Sequence, residues 1–257
     1  MPVRFPEEKR LEFLKYYGLG LNDYEIARAM GISNSTTYRW RREFDFPPQG
    51  SIPSLRNTGI EPTQEEKEIL CGTLIGDGCL QYYPKYRWRA PIFKCDHGKD
   101  QKEYAEMMCS KLNNLRATIH EYIRVDKRTN KEYVIYTVKT PVNPCLFDFY
   151  NTLYNSGKKE ITEEFLTNFT VKSLAFLYMD DGYADQRTAY ICTDSFSDKS
   201  KEILVNYIYK TFKLKFNIVN HGKYYRMRLI RKDFPKFCSM VKPYMIPSLY
   251  YKLNTVS

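Results

Sequence analysis

Asp77 and Asp181 each stand one residue before a glycine, and each closes an apolar run that spacing predicts to be helical. The first run is opened by the capping box Thr63-Gln-Glu-Glu66 and passes through Ile69, Leu70, Gly72, Leu74 and Ile75 to Asp77-Gly78. The second, about a hundred residues on, runs from Val171 to Asp181-Gly182. A carboxylate at a helix C-terminus faces the negative end of the dipole, and two such groups brought together also repel each other. A hard cation such as Mg2+ relieves both effects, because it takes carboxylates, backbone carbonyls and water; so held, it can activate a water and stabilise a leaving oxygen. A single Asp-Gly step is an ordinary helix stop. Two at equivalent places of a repeat point to chemistry.

The repeat extends beyond those steps. Ile92-Phe-Lys-Cys-Asp-His precedes a helix opening at Lys102-Glu103, as Tyr190-Ile-Cys-Thr-Asp-Ser precedes one at Lys201-Glu202. Strand pairs are expected over 117–125 with 133–139 and over 216–219 with 224–230, and aromatic-rich helices close the halves at 145–154 and 234–240. Such an internal repeat predicts two like subdomains about a pseudo-twofold axis.

Ahead of the repeat, residues 8–17 read as a helix with Leu11, Leu14 and Tyr17 inward, and Asn22 can cap a second helix over 23–30. Gly31 permits a tight turn, and Ser33 or Asn34 caps a third helix bearing Arg39, Arg41 and Arg42 on its outer side. The segment resembles a helix-turn-helix module. That reading sends Asn34, Ser35, Thr36, Tyr38 and Arg39 to a major groove, and Arg41 and Arg42 to phosphates. Residues 47–62, rich in proline and glycine, read as a tether.

The chain has 40 Lys and Arg against 30 Asp and Glu, and a net charge of +10 favours a polyanionic partner through counterion release. Tyrosines interleave with the basic residues around Arg87, Arg89 and Lys94 and again around Arg226 and Arg228, a pattern suited to strands laid on a phosphate backbone. Seven cysteines without a CxxC pair argue against a disulfide framework or a zinc ribbon and are expected to be reduced core residues. Three histidines leave little material for a His-based centre and are expected at the surface or in turns. Neither a signal nor a transit peptide is evident, and no apolar run approaches a membrane span, so the expectation is no membrane partner and an intracellular site: the cytoplasm of a bacterium, archaeon or phage-infected cell, or an organelle matrix.

Leu70-Cys-Gly-Thr-Leu-Ile-Gly-Asp-Gly78 and Leu174-Ala-Phe-Leu-Tyr-Met-Asp-Asp-Gly182 together resemble the LAGLIDADG homing endonuclease family in its single-chain form with two motif copies. The resemblance spans residues 62–257, with Phe176 standing where the family usually has a small residue. It implies that the two motif helices pack together and that Asp77 and Asp181 hold Mg2+ or Mn2+, helped by the carbonyls of Gly76 and Asp180, with the Asp180 side chain as a secondary ligand. It also implies active-site lysines: Lys159, with Lys158 competing, and Lys252. The implied activity is site-specific cleavage of double-stranded DNA across the minor groove, leaving 3′ overhangs.

The expected fold is α+β: a pseudo-twofold pair of αββαββα subdomains forming a DNA-binding saddle, behind a small all-α helix-turn-helix domain. Residues 1–46 form the module, 47–62 the linker, 63–165 the first subdomain and 166–257 the second. The chain is expected to act as a monomer on double-stranded DNA. The alternatives are an RNA maturase that binds intron RNA, and a DNA-binding regulator that does not cut.

Overall fold

A computed structural model describes residues 6–18, 21–46, 59–83, 90–155, 157–222 and 224–253. The chain divides into two compact units, Met1–Thr58 and Gly59–Ser257.

In the first unit, α1 (Glu7–Gly18), α2 (Asp23–Met30) and α3 (Asn34–Glu43) close on Phe13, Ile26, Met30 and Trp40. Phe13, not Leu11, turns inward; Leu11 is 62% exposed, which corrects the face assigned to α1. Asn22 and Glu25 form a reciprocal capping box at the start of α2. Gly31 ends that helix at φ +64°, a left-handed conformation that glycine adopts without a Cβ penalty. Ser33 caps α3 by accepting from the Thr36 N–H. Thr37 and Arg41, one turn apart on α3, both address the start of α2. The Thr37 hydroxyl donates to the Asp23 carbonyl at 2.7 Å, and Arg41 Nε reaches the Asp23 carboxylate at 2.8 Å.

The second unit holds the repeat. Its first half runs α4 (Gln64–Ile75), β1 (Cys79–Gln81), β2 (Ile92–Gly98), α5 (Lys102–Lys111), β3 (Thr118–Val125), β4 (Glu132–Lys139) and α6 (Phe147–Leu153). A two-strand ribbon, β5 (Tyr154–Asn155) with β6 (Lys158–Lys159), follows. The second half is α7 (Val171–Asp181), β7 (Gly182–Asp185), β8 (Thr188–Ile191), α8 (Asp198–Phe212), β9 (Phe216–His221), β10 (Tyr224–Leu229) and α9 (Phe234–Val241). The sheets have the same order, β1-β2-β4-β3 and β7-β8-β10-β9, so αββαββα occurs twice and the α+β expectation stands.

Strand register refines the internal alignment. Lys94 sits opposite Cys79 and Lys139, and Tyr190 opposite Tyr183 and Arg228, which makes Lys94 and Tyr190 the equivalent positions. The sequence match of Asp96 with Asp194 is therefore off by two: Asp96 lies within β2, whereas Asp194 lies in the turn after β8. The last four residues assigned to the tether pack instead. Asn143 and Asn114 side chains donate to the carbonyls of Ile60 and Glu61 at 2.8 and 2.9 Å, and Pro62 is buried, so residues 59–62 are seated on the second unit. Residues 47–58 lie outside the described residues.

At the centre of the core, α4 packs on α7. A Cβ on Gly72 would collide with the backbone carbonyl of Ser173, so only glycine allows this approach. The Ser173 hydroxyl donates to the Glu68 carbonyl at 2.6 Å, fixing the register of the two helices. Phe176 does not hold them apart; it is buried beside Tyr104, ring centroids 6.2 Å apart, while Gly72 supplies the close contact. Gly72→Ala is accordingly expected to destabilise the second unit by roughly 1–3 kcal/mol through overpacking. A urea midpoint equal to that of the wild type would refute this.

Candidate active site and nucleic-acid interface

The two motif helices end differently. α7 continues through Asp181, while α4 stops at Ile75 and Gly76 turns the chain out at ψ −133°. Asp77 is consequently exposed and Asp181 half-buried. Burial first, then the Asp77 charge, raises the Asp181 carboxyl to about 7 against the opposing pull of Lys159 and Lys252. With the Asp77 N–H also 3.3 Å from Asp180 Oδ2, the two helix ends meet at one electrostatic site.

Each helix end has its own lysine. Lys159 Nζ donates to the carbonyls of Gly78 and Gly76 at 2.6 and 3.4 Å, and Lys252 Nζ to those of Met179 and Asp180 at 2.5 and 3.1 Å. Lys159 reaches inward from the β5–β6 ribbon, where its register partner is Tyr154, and the Tyr154 hydroxyl accepts from the Leu80 N–H at 2.9 Å. Lys252 lies on the 3-10 turn Pro247–Leu253, tied to α7 by the Tyr178 hydroxyl, which donates to the Lys252 carbonyl at 2.6 Å. Burial lowers the pKa of both lysines. Of the two competing lysines, Lys159 makes these contacts and Lys158 is exposed.

The Asp180 side chain is occupied elsewhere. Tyr104 Oη donates to its Oδ1 at 2.7 Å and the Asp77 N–H approaches its Oδ2 at 3.3 Å. Burial, then the Asp77 charge, pushes this carboxyl well above the ordinary carboxylate range. Both oxygens already accept from protein donors, an engagement that competes with the expected role as a secondary ligand. His97 is a further correction. It is buried rather than superficial, with Nε2 3.3 Å from Cys95 Sγ and its ring 4.8 Å from that of Tyr104. All seven cysteines are free, though only Cys71 and Cys95 are fully buried.

The donor set suits a hard cation that keeps much of its water. Among the described residues no group of three or more His, Cys, Asp and Glu gathers as a metal cage. Two carboxylates, one of them raised by its neighbour's charge, leave negative charge unneutralised, and Mg2+ commonly binds one or two carboxylates plus substrate oxygens. The Gly76 and Asp180 carbonyls carry lysine ammonium groups here, so Asp77 and Asp181 are the principal donors.

Comparisons with known proteins bear on the family and the fold. The family model described as "LAGLIDADG DNA endonuclease family" matches residues 67–237, more than half of the chain and both aspartates. The chain belongs to the LAGLIDADG DNA endonuclease family. A homeodomain-like domain model matches residues 6–55, over the three N-terminal helices. DNA endonuclease I-ChuI of Chlamydomonas applanata is 29% identical over 213 residues, covering 75% of this chain and 95% of that protein. Protein RecA of Mycolicibacterium flavescens is 29% identical over 268 residues, covering 96% of this chain; the chain spans only 60% of that protein's length. The homing endonuclease I-WcaI bound to its DNA recognition sequence shares the fold, with TM-score 0.68 and 22% identity over 75% of this chain and 87% of that one.

In this LAGLIDADG chain the outward faces of the two sheets carry the other sequence candidates. Lys94 is ion-paired with Asp96 at 2.8 Å; Arg226 meets Asp194 at 3.3 Å and lies over the Tyr183 ring. Arg228 is exposed, in a cross-strand row with Tyr183, Tyr190 and Asn217. Its counterpart in the first sheet is Lys139, in a row with Cys79, Lys94 and Thr118; sequence reading missed it because equivalence across the repeat becomes visible only with strand register. Arg87 and Arg89 lie outside the described residues. On α3, Asn34, Ser35, Tyr38, Arg39 and Arg42 are exposed. Thr36 and Arg41 are not: Thr36 is buried beside Ser33, and Arg41, 7% exposed, is held by Asp23, by the Phe46 carbonyl at 3.0 Å and against the Tyr38 ring. Those two assignments are corrected. Arg41 clamps the module together instead of meeting phosphate.

The raised Asp181 carboxyl has a consequence for stability. A folded-state pKa above the unfolded one favours folding while the group is protonated, so this contribution is intact near pH 4 and disappears as pH rises through about 7. Asp181→Asn is expected to stabilise the metal-free protein at pH 8 by roughly 1–3 kcal/mol, allowing for solvent screening, and to do little at pH 4. Calorimetric melting at the two pH values checks this; an identical pH slope in variant and wild type would contradict it.

Proposed function

We propose that this chain is a metal-dependent, site-specific endonuclease that cuts double-stranded DNA as a monomer. The observation that carries this reading is the pair of unequal helix ends, each presenting an aspartate and each held by a half-buried lysine. A divalent cation bound by Asp77 and Asp181 would activate a water and neutralise charge on the leaving oxygen. Lys159 and Lys252 supply fixed positive charge at the same place, suited to the extra negative charge of a phosphodiester under attack. Attack of that water on phosphorus would break the P–O3′ bond, with the proton the water gives up passing through solvent to the departing oxygen to complete a 3′ hydroxyl. By family resemblance the cuts cross the minor groove and leave short 3′ overhangs.

Target recognition in this reading falls to the outward sheet faces, arranged as a saddle on the major groove. Arg228 and Lys139 are available for contact, while Lys94 and Arg226 can exchange their aspartate partners for phosphate or base edges. A solved protein of this fold is bound to its DNA recognition sequence, and we assign the same class of partner here. The exposed face of α3 adds a second contact region, so the site is long and asymmetric.

Incubation with Mg2+ or Mn2+ and the uninterrupted form of the gene that harbours this reading frame tests the proposal. Linear product with 3′ overhangs supports it; binding without cutting points to a regulator, and intron RNA binding with faster splicing to a maturase. Asp77→Asn and Asp181→Asn are each expected to abolish cutting with DNA affinity nearly unchanged, measured by gel shift in Ca2+. Full cutting by either variant would remove the mechanism. Deleting residues 1–58 is expected to weaken binding by at least about tenfold, the loss anticipated for a few phosphate and base contacts, and to shorten the footprint. An unchanged footprint would take the N-terminal module out of DNA recognition.

A further inference from the structure

Asp180 occupies the motif position held by Gly76 in the first copy, and its carboxyl crosses the helix interface. A Cβ on Gly76 would lie 2.5 Å from Asp180 Oδ2 and 2.6 Å from its Cβ, so the glycine is what makes room for the crossing. The recipient is the backbone of the opposite aspartate. Around the end of α4 the Gly76 N–H donates to the Gly72 carbonyl and the Gly78 N–H to that of Thr73, while the Asp77 N–H between them turns to Asp180 Oδ2. Tyr104 Oη, fully buried on α5, fixes the other oxygen of the same carboxyl at 2.7 Å. A chain of contacts thus runs from His97 and Tyr104 through Asp180 to the residue that carries the Asp77 side chain.

We propose that Asp180 is a positioning residue: anchored by Tyr104, it fixes the backbone of Asp77 and thereby aims that carboxylate into the active site. The assignment rests on the nuclease reading above and gives Asp180 a role different from metal ligation. Geometry favours it because Gly76 has left the helix, and a backbone turned out at ψ −133° depends on whatever holds the next N–H. Asp181 has no such dependence, since it is the last residue of α7. The two aspartates are therefore held by different means, one by its own helix and one by the other half of the molecule.

Asparagine and alanine at position 180 separate positioning from ligation. Asp180→Asn can still offer its Oδ1 to the Asp77 N–H and its amide hydrogens to the Tyr104 oxygen, so it preserves the geometry while removing a carboxylate. Asp180→Ala removes both bonds. Two measurements on the full-length protein decide: hydrogen exchange at the Asp77 amide, read by NMR without metal or DNA, and single-turnover cutting with affinity measured separately. Asp180→Asn is expected to keep the amide protected and to cut within about threefold of wild type; Asp180→Ala is expected to lose protection and about tenfold or more of the cutting rate, with DNA affinity unchanged. Tyr104→Phe serves where Asp180→Ala does not fold, with the same expected losses in smaller degree. The proposal is overturned if Asp180→Asn is as inactive as Asp181→Asn, which would make Asp180 a ligand, or if Asp180→Ala or Tyr104→Phe leaves the Asp77 amide as protected as in wild type. A wild-type protein that cuts no DNA would remove the nuclease reading, and the amide comparison would still decide the hydrogen bond.

Discussion

Two helix C-termini repel each other, and this molecule holds a pair of them together. The constraint that allows it is steric: α4 and α7 touch backbone to backbone at Gly72 and Ser173, a contact any side chain at Gly72 would prevent. Close contact along the helix bodies fixes where the ends must be. Once they are there, Asp181 at one end and Asp77 just past the other share one site, and the sheets that follow each helix are set out in matching order. The fold of the second unit is in this sense an outward consequence of one interhelical contact.

Electrostatic cost concentrates at that point. Two dipole ends, two exposed or half-buried carboxylates and the buried Asp180 carboxyl all meet in one place, and burial first, then the Asp77 charge, raises the carboxyls of Asp181 and Asp180. The protein offsets it from within through Lys159 and Lys252, each donating to the carbonyls of one helix end. In the proposed reaction this site would take added positive charge and a phosphate. The two halves reach this state unequally: Asp181 rides its helix, whereas Asp77 stands past the end of its own. Pseudo-symmetry therefore extends to topology and to the lysines but not to the support of the carboxylates.

Much of this was legible in the chain itself. The capping box at Thr63, the paired Asp-Gly steps and the alternating strands determine local conformation, and local conformation follows near neighbours in sequence. Lys159 and Lys252 were legible only through family resemblance, because a lysine's direction depends on elements far along the chain. What sequence reading got wrong has the same cause. Arg41 looked like a phosphate contact because its partner, Asp23, lies on another helix; His97 looked superficial because its neighbours in sequence are polar while Tyr104 covers it in space. Leu11 and Phe13 exchanged roles because a helix face is chosen by what packs on it. Lys139 was overlooked, and Asp96 was matched with Asp194, because a repeat aligned by residue identity ignores strand register, which is set by hydrogen bonds between strands.

The central claim is that one cation site is shared by residues 104 positions apart in the chain, Asp77 and Asp181. Anomalous diffraction from a crystal of the protein grown with DNA and Mn2+ addresses it most directly. The account predicts an anomalous peak between the two carboxylates, within coordinating distance of both. Manganese bound at one of them alone, or only at sites remote from both, would contradict it.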